Sequence, residues 1–164
     1  MSKQKLDKQI LLDAIIDQFQ AEFELLSRAA RTTYEAATHE ENRAENKYDT
    51  RGLEASYLAE SQSKRARELQ KTVNIYRSLK LRHFGAGEAI AMTALVTLGD
   101  GPEIRTYFIG PQGGGAQVTI EQTRVQVITP ASPLGRSLLG LEMGDTVAVG
   151  PEGTQREFEI VLTC

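Results

Sequence analysis

Apolar positions step through the first half of the chain by four and three in turn. Leu12, Ile16, Phe19, Phe23, Leu26, Ala30, Thr33 and Ala37 keep this rhythm, and Ala55, Ala59, Gln62, Ala66, Leu69, Val73 and Tyr76 repeat it. A seven-residue repeat with two inward positions predicts helices packed side by side along one seam. Large residues open the first series and close the second, while small ones flank the segment between them. Antiparallel pairing therefore sets Leu12, Ile16 and Phe19 against Tyr76, Val73 and Leu69 at a broad base. Ala30, Thr33 and Ala37 then meet Ala55, Ala59 and Gln62 near a narrow tip. With a rise of about 1.5 Å per residue, each helix reaches roughly 45 Å. The pattern predicts a thin arm.

The rhythm changes near Phe84-Gly85-Ala86-Gly87. Before that point the chain has no proline and a single glycine, Gly52; all five prolines follow it. Ile90 to Leu98 and Glu103 to Ile109 are β-type runs around the turn-rich Gly99-Asp100-Gly101-Pro102, which predicts a hairpin. Gln117 to Ile120, Arg124 to Ile128, Thr146 to Val149 and Arg156 to Leu162 add four more strands to a small, mostly antiparallel sheet. Thr129 to Gly140 reads as a strand end, a double-proline corner and one short apolar helix turn. The fold class expected is α+β. A helical coiled-coil hairpin spans residues 1–82 with its tip at about 38–50, and a β domain with one short helix spans 83–164.

Composition narrows the function. A formal net charge of −3 argues against a protein that coats nucleic acid by itself. The one cysteine, Cys164, allows neither an internal disulfide nor a cysteine metal site. The charged N-terminus leads into no signal-type apolar run, and nothing approaches a membrane span. A soluble, cytoplasmic protein without membrane attachment is expected. Gly113-Gly114-Gly115 lacks the lysine and spacing of a phosphate cradle. His39 and His83 fall at opposite ends of the hairpin and cannot share a metal. Lys64, Arg65, Arg67 and Lys71 alternate with Glu60 and Glu68, as on a solvated helix face. Ser132 has no partner that would make it a nucleophile.

The segment from Thr38 to Arg51 is rich in acids and amides. Asn42 with Glu45, or Asp49, would cap the second helix. Carboxylates at the end of a thin arm have a second use, because they can be carried into a site that a globular protein cannot enter. There they would lend oxygen ligands to a Mg²⁺ held mainly by another protein.

Three features together resemble the Gre family of transcript-cleavage factors. The most specific is the Ser132-Pro133 corner with Arg136-Ser137-Leu138-Leu139-Gly140 and the Gly144-Asp145 turn. The others are the helical hairpin with an acidic tip ending in Tyr48-Asp49, and the Gly150-Pro151-Glu152-Gly153 turn before Glu157-Phe158-Glu159-Ile160. The resemblance covers essentially the whole chain and implies an FKBP-like second domain without isomerase activity. It implies an accessory factor rather than an enzyme, with bacterial RNA polymerase as partner and nascent RNA touched only indirectly. The β domain would dock on the rim of the secondary channel through Ser132, Pro133, Leu134 and Arg136, and the tip would enter the channel.

In that family two tip acids help bind a Mg²⁺ shared with the polymerase. Aligned on Tyr48, Glu41 takes the first acidic position, but Ala44 takes the second and Glu45 is displaced by one. One residue on a helix turns a side chain by about 100°. Glu41 and Glu45 are the expected tip acids, with Glu40 as substitute, and weak or absent cleavage is expected. The alternative is a regulatory or anti-cleavage factor without metal chemistry. The seam is used inside the hairpin, so a monomer is expected. A self-assembling coiled coil would need a second apolar stripe, for which Leu11, Ile15 and Leu25 are the positions to inspect.

Overall fold

The computed structural model describes residues 5–38 and 51–164, and of Arg51 the backbone alone. Two compact units emerge. One is Ile16–Arg77; the other combines the N-terminal residues up to Ile15 with Ser78–Cys164.

Helix α1 runs Lys8–Thr38 and α2 runs Arg51–Arg77. Asp7 starts α1, with its carboxylate accepting from the backbone N–H groups of Gln9 and Ile10 at 2.8 and 3.2 Å. Those donors have no partner inside the helix, which is why an acid caps well there. Within Ile16–Arg77 the predicted seam is inward at every position. Phe19, Ala30, Ala59, Ala66, Leu69, Val73 and Tyr76 are buried; Phe23, Leu26, Thr33, Ala37, Ala55 and Gln62 are half-buried. The Phe19 and Tyr76 rings meet with centroids 5.3 Å apart, and Arg77 donates to Gln20. Ala30 and Tyr34 of α1 line one groove with Ser56 and Ala59 of α2, so the pair runs antiparallel from the Phe19–Tyr76 contact onward. Towards the other end small residues leave an open groove of about 600 Å³ over Phe23, Ala30, Ala59 and Ala66. Gln62 carries a buried Oε1 without a partner among the described residues.

Leu11 and Ile15 lie off the seam and are fully buried, and both belong to the unit with the sheet; Leu25 is exposed. These three positions do not form a second stripe.

The second unit holds a six-stranded sheet in the order β3-β4-β2-β1-β6-β5. Its strands are β1 Leu95–Asp100, β2 Glu103–Ile109, β3 Gln117–Ile120, β4 Thr123–Ile128, β5 Thr146–Val149 and β6 Arg156–Thr163. All neighbours are antiparallel except β2 and β4. Helix α3, Pro133–Leu138, drives Leu138 into a core of Val96, Leu98, Tyr107, Ile109, Phe158 and Ile160.

The first strand starts later than the sequence predicts, at Leu95 rather than Ile90. Thr93 has φ +72°, a left-handed conformation that a β-branched residue rarely adopts. Its N–H donates to the Ile109 carbonyl, and its hydroxyl accepts from the Arg82 N–H at 3.0 Å. Those bonds hold the strain and turn the chain before the ladder begins.

Lys8 closes the same region. Its ammonium donates to the carbonyls of Arg82 and Cys164 at 2.5 and 2.9 Å and lies over the Phe84 ring. Burial, more than any other influence, pushes its pKa down to about 8; Cys164 opposes the shift, and Arg82 and Lys5 add to it.

Candidate docking site

Four residues singled out from the sequence sit at one corner of the β domain. Ser132 is the N-cap of α3: its hydroxyl donates to the Thr129 carbonyl at 2.7 Å and accepts from the Gly135 N–H at 3.1 Å. Pro133 occupies the first helical turn, where its missing N–H costs nothing. Arg136 donates from Nη1 to the Ala131 carbonyl at 2.9 Å, which ties the helix back to the corner. Pro133 and Arg136 are exposed.

Leu134 differs from expectation. The double-proline corner suggests a side chain too far from the sheet to reach its core, yet Leu134 is half-buried and packed against it. The cause is α3 itself. Its single turn swings Leu134 and Leu138 onto one face, four residues apart.

A residue that sequence reasoning passed over makes this corner possible. Gly135 is buried, and a Cβ added there would lie 1.9 Å from the Thr129 carbonyl oxygen. Only a glycine lets α3 approach so closely. The signal was present in the sequence as a glycine inside a helix, where it otherwise weakens the element.

The tip acids Glu40, Glu41 and Glu45, with Ala44 and the candidate caps Asn42 and Asp49, lie outside the described residues, as does His39. Among the described residues no group of His, Cys, Asp and Glu could hold a metal ion. His83 is exposed. On α2, Arg65 pairs with Glu68 at 3.6 Å and Arg67 with Glu60 at 3.7 Å, with all four side chains more than half exposed. That is the solvated face read from the sequence. Gly113 to Gly115 form a loop between β2 and β3, with Gly114 against the Thr129 side chain.

A charged cluster at the tip of the β1–β2 hairpin was not visible in the sequence. Arg156 of β6 bridges Asp100 and Glu103, and Glu103 Oε1 also takes the Nη2 and Nε groups of Arg105 at 2.5 and 2.7 Å. Both guanidinium groups stack on Phe158. Hydrogen bonds from Arg105, then from Arg156, hold the Glu103 carboxyl below the usual carboxylate range. Among the described residues no helix is long and apolar enough to cross a membrane.

Comparison with known proteins supplies the context for the corner. Residues 87–162 match the family model described as "Transcription elongation factor, GreA/GreB, C-term". The chain is 25% identical over 152 residues to the transcription inhibitor protein Gfh1 of Thermus thermophilus, covering 91% of this chain and 90% of that protein. It is 23% identical over 152 residues to the Gfh1 of Thermus aquaticus, covering 91% and 89%. Among solved structures, the GreA factor homolog 1 (Gfh1) of Thermus thermophilus aligns at 24% identity over 93% of this chain and 94% of that one, with a TM-score of 0.38. The resemblance carried by the serine-proline corner is borne out: residues 87–162 match the C-terminal domain of the GreA/GreB transcription elongation factors, within a chain that is similar to the Gfh1 factors over nine-tenths of its length.

Proposed function

We propose that this protein is a Gre-like transcription factor of the bacterial cytoplasm that acts on RNA polymerase. The β domain docks on the rim of the secondary channel through the α3 corner, and the helical arm carries its acidic tip into the channel. The observation that carries this reading is the GreA/GreB match over residues 87–162, which spans the whole corner.

Each part has a physical task. The corner is held rigid by the Ser132 cap, Pro133 and the Arg136–Ala131 bond, so its exposed edge costs little conformational entropy to present. The arm is long because its seam tapers to small residues, which keeps it narrow enough for a channel. Glu41 and Glu45, with Glu40 in reserve, would lend carboxylate oxygens to a Mg²⁺ that the polymerase itself holds. The protein needs no metal of its own in that role and acts as an accessory factor, with nascent RNA affected indirectly.

A second reading is favoured by two observations. The relatives found at 25% identity are named transcription inhibitors, and Ala44 stands where the second tip acid of the cleavage factors would fall. On that reading the tip occupies the channel and slows synthesis without promoting cleavage.

One experiment tests both. The purified chain is added to stalled, backtracked bacterial elongation complexes, and RNA length is followed with and without nucleotides. Shortened RNA supports cleavage stimulation; unchanged RNA with slower extension supports the inhibitory factor. Unchanged length and unchanged extension at saturating protein would reject both.

A further inference from the structure

Beside the charged cluster, on the sheet face that carries α3, lies a polar groove of about 250 Å³. Its lining includes Arg105, Tyr107, Gln117, Arg124 and Gln126. Side chains two residues apart on a strand share a face, so Arg105 and Tyr107 of β2 and Arg124 and Gln126 of β4 point the same way. The register sets Tyr107 beside Gln126 and Gln126 beside Gln117. Arg105 and Arg124 stand one step back along the two parallel strands. The result is a floor of hydrogen-bond donors with no acid in its lining.

Two like charges on neighbouring strands repel each other. Arg105 is partly compensated: Glu103 covers its Nε–Nη2 edge, and Phe158 stacks beneath it. These partners fix its guanidinium in place. Arg124 is exposed and has no ion pair among the described residues. A fixed arginine next to an unpaired one, with amide donors alongside, suits an incoming oxyanion.

The surroundings select its source. The cavity is smaller than the ~300–1,000 Å³ of typical small-molecule sites, so it takes one acidic head group rather than a nucleotide. A net charge of −3 opposes a polyanion. The groove also borders β3, an edge strand paired only with β4. An exposed edge offers backbone donors and acceptors to an added peptide strand, a mode that nucleic acid cannot use.

We propose that this groove and the β3 edge form a second binding site, which takes an extended acidic segment of a protein partner and seats one of its carboxylates between Arg105 and Arg124. The site lies apart from the α3 corner and does not depend on polymerase being the partner.

The test is a nuclear magnetic resonance titration of the full chain with the blocked peptide acetyl-(Thr-Glu)₃-amide. Expected are saturable shifts at the β3 amides Gln117 to Ile120 and at the Nε–H resonances of Arg105 and Arg124. Arg124→Glu should weaken binding about tenfold, the loss of one charge-assisted pair. Because Arg124 is exposed, that variant keeps its fold, which unchanged Leu138 and Phe158 signals will confirm. Equal binding by acetyl-(Thr-Gln)₃-amide, no loss in the variant, or tighter binding of decauridylate at the same resonances would each overturn the proposal.

Discussion

Gly135 and Ser132 together decide whether the α3 corner exists. Replacing Gly135 with alanine drives a methyl group into the Thr129 carbonyl, a backbone atom that cannot step aside. We expect Gly135→Ala to cost about 3 kcal/mol or more, and Ser132→Ala about 1 kcal/mol as a lost cap. Urea denaturation measures both, and equal costs would refute the close approach. Lys8 makes a different prediction. Its folded pKa of about 8 lies below the ordinary value of 10.5. Between those values the unfolded chain binds more protons, so stability rises with pH through that window, and below it the cost of the buried charge is constant. Comparing wild type with Lys8→Met isolates this group. The difference in unfolding free energy should move towards wild type by about 1–3 kcal/mol between pH ~7.5 and ~10. A difference that stays flat would mean that the ammonium is effectively solvated.

The arm is an element whose stability is graded along its length. Phe19 is buried and packed at a tilt against Tyr76, so Phe19→Ala should cost on the order of 3–5 kcal/mol. Ala37 is half-buried among small residues, and Ala37→Leu should be tolerated far better. Equal losses in melting temperature would contradict the taper. This gradient was legible because a helix repeats every 3.6 residues and each seam position declares its own size. The strands from β2 onward were legible for the same reason, through alternation and turn residues. What escaped was non-local or strained. Thr93 holds a left-handed turn by its bonds to Ile109 and Arg82, and no local pattern announces it. The β3–β4 turn uses Glu121 and Gln122 at φ +47° and +69°, without the glycine that usually marks such a turn. Lys8 reads as an exposed charge until the fold brings Arg82 and Cys164 to it. The arginine cluster on Phe158 joins residues more than fifty positions apart. The corner was legible as a motif, but the role of Gly135 lies in a backbone contact that only the fold creates.

For the full chain, the proposed function separates binding from effect. On the proposed function docking would use the exposed edge of the corner, so Pro133→Ala with Arg136→Glu should weaken polymerase binding by about tenfold or more while the melting temperature falls only slightly. Leu134 is unsuited to this test, since it packs on the core and its loss would confound folding with docking. On the same proposal the effect would come from the tip. Ala44→Glu with Glu45→Asn restores the three-residue spacing of the cleavage factors and should raise cleavage if geometry is what limits it.

On the proposed function, this chain engages bacterial RNA polymerase through its β domain and acts there through its arm. The deciding experiment titrates the full chain into fluorescently labelled core polymerase, with Glu41→Ala/Glu45→Ala titrated in parallel. Saturable binding of equal affinity is predicted for both proteins, with an effect on RNA synthesis or cleavage from wild type alone. No saturable binding by the wild-type chain, or a double variant that acts as wild type does, would contradict it.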